Sequence, residues 1–211
     1  GLLLVGETTS QLQSPLDKTI WPLHGDGGTA TALEFNEGAS PMLFHFATDG
    51  SRGDAIINLD GGMRHPITEE SMRMIEVEPG IIRNRTQSVL GMNVFGFSIK
   101  EPPASIKSLT EYYDFSLDDI DYLILHQANK YMDDKIGKKL KVPADKIPFS
   151  LMQYGNTSSA SIPITMVVGI GEKLSLEDAD VVICGFGSGL SWGSAYIKLD
   201  HIICLPLIEL D

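Results

Sequence analysis

Two hydrophobic periods run along the chain, and the switches between them mark out its elements. Residues 2–5 (LLLV) are a short unbroken apolar run, the pattern of a strand buried on both faces. The polar stretch 6–10 ends it. A tight glycine-rich turn, HGDGG at 24–28, precedes TATALEF at 29–35, whose alternation reads as a second strand. Residues 36–92 hold no sustained period. Asp49-Gly50-Ser51, Asp60-Gly61-Gly62 and Glu78-Pro79-Gly80 punctuate them, which predicts a connecting region of short strands and turns.

Beyond residue 93 the periods become regular. Apolar residues at 95, 99, 106, 109, 112 and 113 predict a helix over 94–113, kinked or restarted at Pro102-Pro103. Ser116 with Asp119 is a weak cap signal. Residues 122–125 read as a strand. Met132, Ile136 and Leu140, four apart, predict an amphipathic helix over 130–141. Pro143 and Pro148 break the connection 142–149. A polar loop at 154–163 leads into an apolar helix, 164–174. Thr157, Ser158, Ser159 and Ser161 are candidate N-caps, and Pro163 suits a first helical turn. Residues 181–184 form a buried strand closed by GFGSG at 185–189, and 192–199 alternate as its antiparallel partner. The tail, 201–211, is apolar without a clear assignment. Strands alternating with helices from 94 to 199 predict a layered α/β fold.

Composition adds limits. The 211 residues are 43% apolar and 21% charged, which suits a globular domain rather than a disordered chain. No apolar stretch reaches bilayer-spanning length. The net charge of -12 argues against nucleic acid. Six of the sixteen basic residues nevertheless fall together: Lys130, Lys135, Lys138, Lys139, Lys141 and Lys146. They form either a solvated helix face or a basic patch that docks an acidic partner. Two cysteines, Cys184 and Cys204, are too few for a disulfide framework, so a reduced, cytoplasmic setting is expected. No Cys/His spacing suggests a metal site. The chain opens on Gly1 and an apolar run without an initiator Met, so it is expected to start inside a longer protein.

The candidate chemistry sits at element ends. The apolar run Leu123-Ile124-Leu125 passes directly into His126, Gln127, Ala128 and Asn129. Unpaired imidazole and amide groups are costly in a core. They either satisfy one another or face a cavity. Asn156 lies thirty residues on, in ordinary Gly-Asn turn chemistry. In α/β folds, strand ends and the loops after them line the ligand crevice. Two uncharged donors there, an imidazole Nε2–H and an amide N–H, would suit an enolate oxygen. The GFGSG cluster is not a dinucleotide fingerprint, because a strand rather than a helix follows it. It also lacks the spacing of a hydrolase elbow around Ser188. It reads as a plain hairpin turn or as a loop whose N–H groups face developing negative charge. Cys184, inside an apolar strand, reads as structural.

Three motifs occur in order: HQAN at 126–129, GNTSSASIP at 155–163 and GFGSGLSWGSA at 185–195. Together with LLLVGETTS, HGDGGTATALEF and VLGMNVFGFSI, they closely resemble the C-terminal part of β-ketoacyl-acyl carrier protein synthase III, a thiolase-fold condensing enzyme. The resemblance covers nearly the whole chain except the tail. It implies a thiolase-like α-β-α fold. Residues 1–35 would be the last two strands of the N-terminal half, 36–92 a connector, and 93–200 the C-terminal half. It implies a decarboxylative Claisen condensation of an acyl-CoA starter with malonyl-acyl carrier protein. Coenzyme A and phosphopantetheine thioesters would be substrates, and there would be no permanent cofactor. His126 and Asn156 match the catalytic histidine and asparagine. The Ser188 N–H matches half of an oxyanion hole. Phe186 matches the aromatic facing the site, and Gly91, Val94, Phe95, Ala128 and Asn129 match the pantetheine tunnel. Acyl carrier protein would be the partner, and the full-length protein a homodimer.

Three departures qualify this. The family's nucleophilic cysteine precedes the segment matching residues 2–6 and is absent from the chain, so the chain alone is expected to be inactive. Tyr131 stands where a carrier-docking arginine is common, which shifts expected docking to Lys130, Lys135, Lys138 and Lys139. Met92 replaces an asparagine that contacts the cofactor arm. Two other readings stay open: a specialised-metabolite or ester-forming relative of the same fold, and a non-catalytic carrier-binding subunit.

Overall fold

The computed structural model describes residues 1–91, 93–200 and 202–209. In chain order its elements are β1 (Leu2–Glu7), α1 (Thr9–Leu12), β2 (Gly27–Ala32), β3 (Leu43–Thr48), β4 (Ile56–Asn58), β5 (Ile75–Glu78), β6 (Ile81–Arg83) and β7 (Ser88–Leu90). Then follow α2 (Asn93–Ser98), α3 (Glu101–Tyr113), β8 (Tyr122–Leu125), α4 (Lys130–Leu140), α5 (Leu151–Tyr154), α6 (Ser161–Thr165), α7 (Gly171–Leu176), β9 (Ala179–Gly187) and β10 (Ser191–Leu199).

The principal sheet has the order β3-β10-β9-β8, with β8 parallel to β9 and β10 antiparallel to both its neighbours. Side chains alternate across its strands. Leu123 and Leu125 of β8 and Val182 and Cys184 of β9 meet Ile106 of α3 and Ile136 and Leu140 of α4 on one face. The intervening Ile124, Val181 and Ile183 meet Ile170 and Leu174 on the other. Helices therefore cover both faces, giving the expected α-β-α layering. This also explains the unbroken run Leu123-Ile124-Leu125, each residue fully buried: a strand covered twice has no polar side.

Several expectations need correction. The run at 2–5 does form a strand, paired antiparallel with β2, but it is not buried: Leu2, Leu3 and Leu4 are 64%, 54% and 68% exposed. The turn HGDGG is shorter than expected, because Gly27 and Gly28 already belong to β2. Residues 43–48, inside the stretch read as a connector, pair with β10 in the principal sheet. The restart expected within 94–113 does occur, giving two helices, Asn93–Ser98 and Glu101–Tyr113. The second begins at Glu101 with Pro102 and Pro103 in its first turn, where their missing N–H groups are not needed. The helix expected over 164–174 begins at Ser161 and carries a π-helical turn, Met166–Ile170, between α6 and α7. None of the hydroxyls of 157–161 caps it through a side chain. The three residues Gly185, Phe186 and Gly187 extend β9, so only Ser188–Leu190 makes the hairpin turn.

Candidate active site

His126 emerges from the end of β8, where the sheet sets its position: its backbone N–H donates to the Cys184 carbonyl on β9 at 2.9 Å. Gln127 next to it is buried and fully engaged. Its Nε2 donates to Leu125 O at 2.9 Å, and its Oε1 accepts from the Ser150 N–H at 3.0 Å. Ser150 Oγ and Thr165 Oγ1 are 2.7 Å apart, and Thr165 Oγ1 donates to Ser161 O. This buried chain of hydrogen bonds ties the end of β8 to α6. A polar core is tolerable when its members are satisfied in this way.

Ser161 completes the link at the histidine. Its Oγ lies 2.7 Å from His126 Nδ1 and accepts from Gln127 N at 3.4 Å. The ring stands edge-on to Phe186, centroids 5.3 Å apart. Loss of water around the ring pushes its pKa down to about 4, against a hydrogen bond with the Ser158 backbone, and nearby His24 adds to the fall. His126 is therefore neutral at physiological pH.

Asn156 is held by its backbone. Its N–H donates to Leu23 O at 2.7 Å, and its carbonyl accepts from Gly25 N at 3.1 Å. Gly155 before it has φ of 65°, in the left-handed region. The side-chain Oδ1 accepts from Ser158 N at 2.9 Å, so the amide's donor end, Nδ2, faces away from that turn. The 156–161 segment thus holds both candidate residues: the Ser158 N–H holds Asn156, and Ser161 Oγ holds the His126 ring.

Of the other predicted residues, Phe186 and Ala128 contact His126 directly, and the rest are held by other neighbours. Phe186 packs with Val94 against Phe97, Leu190 and Ala55. Phe95 stacks on Tyr131 with centroids 5.5 Å apart, which joins α2 to the start of α4. Gly91 donates to Ala55 O. Ala128 donates its N–H to His126 O. Asn129 is half-buried, and its Oδ1 is committed to capping α4 at Tyr131 N. Ser188 sits exposed in the hairpin turn, which is tied to the 49–55 loop by a hydrogen bond from Asp49 N to Leu190 O. Met92 lies outside the described residues.

The lysines of α4 are partly occupied. Lys130 pairs with Asp134 at 3.1 Å and lies over the Phe149 ring. Lys135 lies over the Tyr131 ring, 5.1 Å from its centroid, and Lys139 donates to Ile99 O. Lys138 is exposed.

Neither cysteine is placed as a nucleophile. Cys184 is fully buried, and burial pushes its thiol up to about 12. Burial also raises the Cys204 thiol, which packs beside Gly171 of α7. No group of His, Cys, Asp and Glu that could hold a metal ion occurs among the described residues, and no described helix is long and apolar enough to cross a membrane. Reasoning from the chain missed Ser158, Ser161 and the 23–25 segment. The hydroxyl density of TSSAS was the available signal, but it read as helix capping.

Residues 111–199 match the family model described as 3-oxoacyl-[acyl-carrier-protein (ACP)] synthase III C terminal. The β-ketoacyl-[acyl-carrier-protein] synthase III of Streptococcus gordonii is 34% identical over 203 residues, covering 94% of this chain and 59% of that relative. The enzyme of the same name from Streptococcus equi subsp. zooepidemicus is 32% identical over 201 residues with the same coverage. Among solved structures, a 3-oxoacyl-(acyl-carrier protein) synthase from Burkholderia xenovorans matches with a TM-score of 0.85 at 30% identity, over 96% of this chain and 57% of that one. A 3-oxoacyl-(acyl-carrier-protein) synthase III matches with a TM-score of 0.81 at 32% identity, over 93% and 59%. The chain spans 59% of the length of the curated relatives it matches. On this fold and these matches, the chain is similar to part of the β-ketoacyl-[acyl-carrier-protein] synthase III enzymes, with residues 111–199 matching their C-terminal family model.

Proposed function

We propose that the chain supplies the enolate-stabilising half of a decarboxylative condensing enzyme. That enzyme joins an acyl-CoA starter to a malonyl group carried on acyl carrier protein, in fatty acid or related biosynthesis. One observation carries the reading: two neutral donors, His126 and Asn156, are each fixed by a hydrogen bond from the 156–161 segment, His126 by Ser161 Oγ and Asn156 by the Ser158 N–H. The chemistry needs such a pair. When the malonyl C–C bond breaks, carbon dioxide leaves and its electron pair passes onto the thioester oxygen. Fixed neutral donors stabilise that oxygen without the reorganisation that water would require. The enolate carbon then attacks an acyl thioester. The oxyanion formed there collapses and expels the thiolate, with the Ser188 N–H as one donor to it.

The acyl-carrying thiol comes from outside these residues. A fully buried Cys184 with its thiol near 12 cannot accept an acyl group at neutral pH, and Cys204 packs away from the site, beside α7. The isolated chain is therefore expected to give no β-ketoacyl product. Carrier docking is placed on the lysine face of α4, directly after the catalytic strand end.

The test is made in the complete condensing enzyme. His126→Ala and Asn156→Ala should each slow malonyl thioester decarboxylation by about a hundredfold or more, while acylation of the cysteine is retained. Unchanged decarboxylation in both variants removes the pair from the mechanism.

A further inference from the structure

We propose that Ser161 is a positioning residue that fixes the tautomer of His126: its hydroxyl donates to Nδ1, so the ring carries its own proton on Nε2. Three observations lead there. Ser161 Oγ and His126 Nδ1 are 2.7 Å apart, a short contact for this pair. Ser161 is 1% exposed, so bulk water does not compete for its hydroxyl. Its oxygen already accepts from the Gln127 backbone N–H at 3.4 Å. A hydroxyl has one proton to give, and Nδ1 is the only acceptor within hydrogen-bond reach of Ser161 Oγ among the described residues, so the opposite tautomer would leave a buried hydroxyl proton unpaired.

The neighbouring hydroxyl behaves differently. Thr165 Oγ1 turns back onto the carbonyl four residues earlier, Ser161 O, as helix hydroxyls commonly do. Ser161, at the head of α6, is turned onto the histidine. The Ser158 backbone lies near the ring and opposes the fall in its pKa, but the ring's one hydrogen bond of defined geometry among the described residues is that between Nδ1 and Ser161 Oγ. The consequence is directional: with Nδ1 accepting, Nε2–H is the ring's remaining donor and can serve a developing negative oxygen. That consequence for turnover rests on the enolate role proposed above, whereas the tautomer can be read without it.

The experiment is long-range 1H–15N correlation on the chain with labelled histidine at neutral pH. His126→Gln identifies the ring among the five histidines. The Nε2–H form is expected to predominate in the native chain and in Ser161→Thr, which keeps the hydroxyl. In Ser161→Ala its ratio to the Nδ1–H form should fall about fivefold or more, the loss of one hydrogen bond. A native spectrum with the proton mainly on Nδ1 overturns the proposal, as does an unchanged ratio in Ser161→Ala. If the alanine variant does not fold, the native spectrum and Ser161→Thr still decide. If the tautomer responds as expected but decarboxylation in the complete enzyme does not, the enolate role fails and the assignment of Ser161 stands.

Discussion

Gly25 lies so close to Tyr154 that a β-carbon on it would sit 1.8 Å from the Tyr154 carbonyl oxygen. No side-chain rotation relieves that contact, because the obstacle is backbone. The approach also lets Gly25 N reach Asn156 O and Leu23 O reach Asn156 N. Gly25→Ala is therefore expected to force the two segments apart and to cost upwards of about 3 kcal/mol of stability. Thermal or urea denaturation measures this. In the complete enzyme the same variant should slow decarboxylation through Asn156 rather than weaken substrate binding. A variant as stable as the native chain would mean that the segments separate freely.

Gln127 offers a second stability test. Its amide serves two buried backbone groups, Leu125 O and Ser150 N. Gln127→Leu keeps most of the volume but strands both. The expected cost is about 2–4 kcal/mol, read as a lower denaturation midpoint at an unchanged m-value.

Asp133 gives a pH signature. It lies on α4, 3% exposed, and neither carboxyl oxygen has a hydrogen-bond partner. Burial pushes its pKa from 3.8 up to about 8, the Asp134 charge adds to this, and Lys130 opposes it. Below about pH 4 both folded and unfolded chains are protonated there. Between about 4 and 8 the unfolded chain releases the proton and the folded chain keeps it. Stability should then fall by about 1.4 kcal/mol per pH unit, and the slope should vanish above about 8. Asp133→Asn lacks this term. Stability curves of the two proteins measured from pH 5 to 9 should converge towards acid and separate towards alkali; parallel curves would show that Asp133 ionises normally in the fold.

The lysine face of α4 is tested by charge. Lys138→Glu, alone and with Lys139→Glu, should raise the KM for malonyl-acyl carrier protein several-fold in the complete enzyme. The response to coenzyme A thioesters should change little, and the difference should shrink in high salt. Equal effects on both substrates would make these lysines an ordinary solvated surface.

The layered fold was legible because its signals are local. Leu123-Ile124-Leu125 is apolar without interruption, and the alternation at 192–199 carries its own period. The site was legible only in part. His126 stands out at the end of a buried strand, and HQAN with GNTSSASIP pointed to Asn156 as its proposed partner. What lay hidden depends on contacts between distant segments. Ser161 reads as a cap until α6 is folded back against β8. Gly25 reads as turn chemistry until Tyr154 is placed against it. The strand at 43–48 was hidden for the same reason: its partner, β10, lies about 150 residues further along the chain. The exposed leucines of β1 went against expectation, since an apolar run states what a segment prefers and not what is there to cover it.

Those leucines bear on how the chain behaves in solution. β1 is hydrogen-bonded to β2 on one side, and Leu2, Leu3 and Leu4 present apolar surface on both faces. A net charge of -12 keeps molecules apart near neutrality, but acid removes that repulsion without removing the leucines. The colloidal limit of the chain should thus lie on the acid side, where sedimentation would show assemblies that grow with concentration and retreat when a charge is placed at Leu3.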